Sequence, residues 1–242
     1  MEFLIDAHTH TLASGHAYNT ILEMVSAARG KNLEILGITE HGPAMAGSCQ
    51  DIYFNNLRSI DRKVFGMEVL LGAELNIIDY KGGTDLRGDI IREMDITIAS
   101  LHNVCIAIGS REQNTAALIG AIKNPLIDII GHPDDGHFPL DYEAVVKAAK
   151  EYGKPLELNN GSLKPGGFRI NAWENNMEIL KLSARCGVEI LISSDAHFST
   201  DVAEYSYVQE FLKEADFPEE LLLNGNPDRF RKMVHKYKKS GL

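Results

Sequence analysis

An α/β fold built on a parallel sheet is predicted by two features of the 242-residue sequence: short apolar or β-branched runs alternate along it with longer stretches of helical character, and no Ser/Gly/Pro-rich linker or composition shift interrupts the alternation. Strands are expected at residues 3–7, 35–39, 69–75, 96–100, 127–131, 156–159 and 189–193. Helices are expected at 20–32, 54–65, 114–122, 141–151, 172–186 and 201–214. The economical reading is one domain over 1–242 with a C-terminal helical extension. Alternating βα units fit either a closed barrel or an open doubly wound sheet.

The boundaries have local causes. Asn19 is placed to cap the first helix, Leu22, Val25 and Ala28 form its apolar stripe, and Gly30 weakens its last turn. Leu140-Asp141-Tyr142-Glu143 opens a second clear helix, whose apolar positions Val145, Ala148 and Ala149 recur at helical spacing, and Gly153-Lys154-Pro155 turns it back into a strand. Asn226-Pro227-Asp228 reads as a cap with proline in the first helical position.

The chain carries 24 basic and 34 acidic residues, a formal charge of −10 that repels polyanions unless bound cations reverse the field locally. The concentrated basic run, 229–239, reads as the end of a helix, so no stable nucleic-acid partner is expected. Cys49, Cys105 and Cys186 are irregularly spaced, and neither a leader nor a membrane-length apolar run is visible, so a cytoplasmic, non-membrane location is expected. No motif specifies an oligomeric state.

The histidines carry the chemistry. His8 and His10 follow the first expected strand, His16 lies in the loop beyond, and His41, His102, His132 and His197 follow the second, fourth, fifth and seventh; Glu74 ends the third and Asp195 precedes His197. In a wound parallel sheet all these positions share the rim at the carboxyl ends of the strands. Each histidine alone has an ordinary structural explanation as a cap, core or surface group. The set points to a cluster of two or three divalent ions, because imidazole and carboxylate together suit zinc, manganese or iron and there are too many donors for one tetrahedral ion. His8-Thr9-His10 spaces its rings to one side of an extended segment.

Asp6-Ala7-His8-Thr9-His10, Thr39-Glu40-His41, Glu74, Ser100-Leu101-His102, Gly131-His132-Pro133 and Ser194-Asp195-Ala196-His197, in that order, resemble the motif series of the PHP (polymerase and histidinol phosphatase) superfamily. The length resembles its stand-alone YcdX-like bacterial phosphatases. The resemblance implies a distorted (βα)7 barrel and three ions, Zn2+ first, with Mn2+ or Fe2+ as alternatives. By it His8, His10, Glu74 and Asp195 hold one ion, Glu74 with His102 and His132 a second, and His16, His41 and His197 the third.

The reaction expected of such a centre is hydrolysis of a small phosphomonoester by metal-activated water, which makes the chain a metal-dependent phosphatase with a small phosphorylated substrate. Arg169, in the loop 164–169, is the candidate for neutralising phosphoryl charge, with Lys164 next; Asp195 is counted as catalytic as well as ligating. Asp6 either satisfies local backbone donors or orients an imidazole. Glu40 either orients His41 or faces solvent. His137 is a candidate substrate contact, and His235 stands outside the site. Ser193 and Ser194 have no activating base, and Gly82-Gly83 and Gly166-Gly167 read as turns. The rival readings are a phosphodiesterase or exonuclease, a histidinol-phosphate phosphatase, and a metal-storage or metal-sensing protein.

Overall fold

The computed structural model describes residues 2–234; His235 and the remainder of the basic run lie outside the described residues. Seven strands follow one another in spatial order: β1 (Ile5–Asp6), β2 (Ile35–His41), β3 (Glu68–Asn76), β4 (Ile96–Ser100), β5 (Ile129–Ile130), β6 (Leu156–Asn159) and β7 (Ile190–Ser193). Every neighbouring pair is parallel. The helices are α1 (Ile21–Gly30), α2 (Asp51–Asn56), α3 (Gly88–Ile91), α4 (Arg111–Lys123), α5 (Tyr142–Tyr152), α6 (Ala172–Cys186), α7 (Ser206–Ala215) and α8 (Pro227–Val234).

The sheet closes on itself, which decides between the two architectures that periodicity leaves open. At the carboxyl end, Thr9 bridges Ala196, with His10 N to Ala196 O at 2.9 Å and Asp195 N to His8 O at 2.9 Å. Lower down, residues 222–224 fill the seam between β1 and β7. Leu223 N donates to Ile190 O and Leu4 N to Asn224 O, while the Asn224 amide donates to Ile5 O and Ile192 O and accepts from Ile192 N. The result is a distorted seven-stranded parallel barrel with two apolar cores. One packs helices against strands; in the other, Ile5, Ile35, Ile96, Ile98, Ile129 and Leu191 pack with Phe230 and Val234 of α8. Burial on both faces explains why the strands read as continuous aliphatic runs. Gly37 is required because a Cβ there would lie 2.3 Å from Ala7 O.

Several boundaries differ from expectation for identifiable reasons. The cap of α1 is Thr20, in a capping box with Glu23, whereas Asn19 accepts from Ser199 N and ties the first loop to the last rim loop. A Ser110–Gln113 capping box starts α4 three residues earlier than its apolar pattern suggests. The helix expected over 54–65 breaks after α2 into two 3-10 turns: the Arg62 guanidinium takes the carbonyls of Leu57 and Ile60, and Asp61 caps a new turn at Lys63 N. The helix expected from 201 begins at Ser206 because Asp6 holds Ala203 N, with Ala203 at φ 52°, and Lys31 holds the carbonyls of Thr200 and Val202. Regular pairing in β1 and β5 is shorter than the apolar runs that contain them.

Candidate metal centre

Barrel closure and strand register assemble the rim. The closure places His8 and His10 beside Asp195 and His197. The β2–β3 register sets His41 opposite Glu74, and the β3–β4 register sets Asn76 opposite Ser100, two residues before His102. His132 follows β5 with φ 24° and Asp195 follows β7 with φ 57°, both in backbone regions that a non-glycine residue adopts only under local constraint.

Glu74, fully buried, is the hub. Its Oε2 lies 3.4 Å from His8 Nε2, 3.6 Å from His10 Nε2 and 2.6 Å from His41 Nδ1. Its Oε1 lies 2.9 Å from His132 Nε2 and 3.3 Å from His102 Nε2. Asp195 Oδ1 lies 3.5 Å from His8 Nε2 and 3.2 Å from His10 Nε2. His16 is more exposed; its Nε2 lies 3.1 Å from His197 Nε2, and its ring stacks on His41 at 4.8 Å. All nine residues that the sequence nominates for metal binding therefore meet on one rim.

The tautomers follow from the hydrogen-bond network. The Ser14 hydroxyl donates to Glu40 Oε2 at 2.6 Å, so it must accept from His10 Nδ1 at 3.0 Å and from His41 N. The His8 Nδ1–H donates to Glu157 Oε1 at 2.7 Å. The Asn76 amide nitrogen serves Gly42 O and Asp85, so its oxygen accepts from His102 Nδ1 at 2.7 Å. His197 Nδ1 donates to Asp195 O. Four rings thus spend Nδ1 on an acceptor and present Nε2, the arrangement that orients ligating imidazoles.

His8 Nε2, His10 Nε2 and Glu74 Oε2 are buried with no hydrogen-bond partner among the described residues. Three adjacent buried atoms with lone pairs facing one another are costly unless a cation lies among them. Tetrahedral bonds of about 2.0–2.2 Å separate neighbouring ligand atoms by roughly 3.3–3.6 Å. The four contacts that join His8 and His10 to Glu74 and Asp195 span 3.2 to 3.6 Å, the spacing of neighbouring ligand atoms around a divalent ion, and His8, His10 and Glu74 converge as one ligand group. Three ligand groups recur on the rim: His8-His10-Glu74, His41-Glu74-His102 and His10-His41-His197. They offer ligands for several metal sites, with Glu74, His10 and His41 shared between the groups.

Electrostatics in the ion-free protein express the same demand. Burial opposes ionisation of Glu74, yet His102, His8 and His41 hold its carboxyl well below the usual range. Asp195 is likewise held well below its usual range, burial being outweighed by His8, His10 and Arg169. Burial disfavours a charged His8, but Glu157, Asp195 and Glu74 together push its imidazole well above the ordinary value. His10 goes the other way, pushed down by burial and by His41 and His197. The surrounding carboxylates thus favour positive charge at His8.

Residues 6–240 match the model of the PHP domain. The chain belongs to the PHP family. Across 98% of its length, and 98% of the relative's, this PHP chain is 46% identical to a probable phosphatase of Caldicellulosiruptor saccharolyticus. It is 44% identical, over 93% of its length and 91% of the relative's, to a probable phosphatase of Clostridium novyi. Its fold is similar to that of the histidinol phosphate phosphatase of Lactococcus lactis, solved with zinc, L-histidinol and phosphate, with a TM-score of 0.62 at 19% identity, covering 88% of this chain and 94% of that one.

The PHP rim also contains residues that motif reading does not nominate. Glu157 on β6 is fully buried and binds His8 Nδ1 with one oxygen and His132 N with the other. Asn159 donates to Glu157 and Asp195 and accepts from Arg169. Alternation along β6 was the available signal: charged and amide side chains inside an aliphatic strand need buried partners. Asp6 takes the simpler of its two expected roles, receiving Ser194 N, Ser194 Oγ and Ala203 N, and so pins the loop that carries Asp195 and His197. Glu40 is buried, which rules out the solvent-facing alternative, and it reaches His10 Nδ1 and the backbone N of His41 through the Ser14 hydroxyl rather than orienting the His41 ring directly. Arg169 sits at the rim, its guanidinium 3.0 Å from Asp195 Oδ2 and bonded to Asn159 and Ser162. Among the described residues no helix is long and apolar enough to cross a membrane.

Proposed function

We propose that this chain is a metal-dependent phosphatase of the stand-alone YcdX-like kind, cleaving small-molecule phosphomonoesters with three divalent ions. The observation that carries the reading is the set of buried, unpartnered ligand atoms on His8, His10 and Glu74, with both imidazoles 3.2 to 3.6 Å from the carboxylates of Glu74 and Asp195. The full-length relatives named as probable phosphatases support the activity. His8, His10, Glu74 and Asp195 would hold one ion, Glu74 with His102 and His132 a second, and His16, His41 and His197 a third. Zinc suits this nitrogen and oxygen set best, with manganese or iron as alternatives. Bound there, such ions supply activated water and positive charge for the phosphoryl oxygens.

The chain's own groups do the rest. Arg169 is held in place by Asp195 Oδ2 and faces the adjoining cleft, where its second edge meets phosphate oxygens; Asp195 thereby aligns the arginine with the ligands it shares. Glu157, Ser14 and Asn76 keep Nδ1 protonated on three ligating rings. The unpaired cysteines support a cytoplasmic location, and the net charge of −10 argues against a stable nucleic-acid partner. The test is phosphate release from a panel of monoesters, dinucleotides and histidinol phosphate by protein purified without chelator, with metal content measured on the same sample. Metal-dependent turnover of monoesters is expected. Activity confined to dinucleotides, or bound metal without turnover, would overturn the assignment.

A further inference from the structure

Beside the metal ligands lies a cleft of about 200 Å³, bounded on one side by His102, His132 and Arg169. The rest of its lining is mostly apolar, Phe168, Val104, Met45 and Leu101, with Asn103 and Asp135 as its polar members. Phe168 and Val104 are 68% and 67% exposed, an unusual placement for large apolar side chains next to a charged centre.

Phe168 is a fixed platform rather than a loose surface ring. The His137 imidazole stacks on it with centroids 5.1 Å apart and planes 22° apart. His137 is itself locked by Asp135 Oδ1, which takes both its Nδ1, at 2.7 Å, and its backbone N, at 3.0 Å. The two loops involved are fastened together by Gly136 N to Ile170 O at 2.9 Å and by Asn175 to Asp134 O. One stacked partner leaves the remaining ring surface to the cleft. Arg169, the next residue, faces the same space, so a phosphate at the arginine and the ligands leaves its ester substituent against Phe168. Asp135 lines the cleft as well and disfavours a second anionic group there.

Resting on the phosphomonoesterase reading, we propose that this cleft is the leaving-group subsite and selects monoesters of compact, uncharged aromatic alcohols, bound between Phe168 and Val104. Aromatic stacking and apolar burial then supply binding that a polyol leaving group does not receive. This explains why the ring and the valine are held out toward solvent, and it places His137 behind the platform rather than on the substrate.

The test compares benzyl phosphate, glycerol 3-phosphate and 3-phosphoglycerate on the metal-loaded wild type and on Phe168→Ser and Val104→Ser, both surface changes outside the metal ligands. Benzyl phosphate should have a KM about tenfold below that of glycerol 3-phosphate, with 3-phosphoglycerate the poorest. Phe168→Ser should raise the benzyl KM about tenfold and leave inhibition by inorganic phosphate within about twofold. Equal KM values for benzyl and glycerol esters in the wild type, or an equal shift for both in Phe168→Ser, would overturn the proposal. Calorimetric binding of benzylphosphonate against methylphosphonate separates the two readings. A benzyl preference that depends on Phe168, without turnover of any ester, supports the subsite and refutes the phosphatase; turnover without that preference does the reverse.

Discussion

His8 Nδ1 and Glu157 Oε1 meet at 2.7 Å with both side chains fully buried, joining the extension of β1 to β6 across the barrel mouth. The carboxylate fixes the imidazole tautomer and turns Nε2 toward Glu74 and Asp195. Glu157→Gln keeps the volume but removes the charge. It should weaken metal affinity by about 10- to 100-fold while the fold survives, measured by competition with a chromogenic chelator. Unchanged affinity would remove Glu157 from the account.

Arg169 is tested by a pair of substitutions. Arg169→Ala should weaken both phosphate inhibition and kcat/KM by about 10- to 100-fold, equivalent to roughly 1.4–2.8 kcal/mol. Arg169→Lys should recover only part of this, since an ammonium lacks the fork that grips Asp195 on one edge and an oxyanion on the other. Intact turnover and intact phosphate inhibition in Arg169→Ala would leave the arginine with a structural role alone.

The pH dependence has a definite sign. In the ion-free protein the raised His8 value means that its pairing with Glu157, Asp195 and Glu74 is fully present below the ordinary histidine value of 6.5 and is lost as pH rises through the higher folded value. The lowered values of Glu74 and Asp195 contribute stability that fades only in acid, below the ordinary carboxylate range. Metal binding must displace the His8 proton, so its affinity rises with pH over the same window. The difference in Tm between metal-loaded and chelated protein should therefore widen from about pH 6.5 upward. A gap that narrows with rising pH would contradict this charge balance.

Asn224 carries the lower seam. Its side chain satisfies Ile5 O, Ile192 O and Ile192 N, and Asn224→Ala leaves these three backbone groups without it. A loss of about 2–4 kcal/mol is expected in urea unfolding, with metal content per folded molecule unchanged because Asn224 bonds backbone groups of Ile5 and Ile192 and touches none of the ligands. A loss below 0.5 kcal/mol, in order of magnitude, would mean that water or backbone movement replaces the amide.

Much of the site was legible because its chemistry is written in contiguous motifs. His8-Thr9-His10 and Asp195-Ala196-His197 each follow a strand, and parallel winding brings the carboxyl ends of the strands to one rim, where the register then sets which residues face each other. Barrel closure was not legible from periodicity, since it depends on Thr9 meeting Ala196 and on the short segment at Asn224, neither of which has a periodic signature. Helix starts at Ile21 and Arg111 were set by the side-chain caps Thr20 and Ser110, which compete with the apolar stripe. Glu157 and Asn159 were hidden because a polar residue in a strand announces only that it needs a partner, while the identity of that partner is fixed by three-dimensional closure.

Anomalous-difference diffraction from crystals of protein purified without chelator tests the metal centre most directly. The account predicts a strong peak at about 2.0–2.2 Å from His8 Nε2, His10 Nε2, Glu74 Oε2 and Asp195 Oδ1, with further peaks beside His102–His132 and His16–His197. A map with no anomalous density among these atoms, from a sample active on phosphate esters, would contradict it.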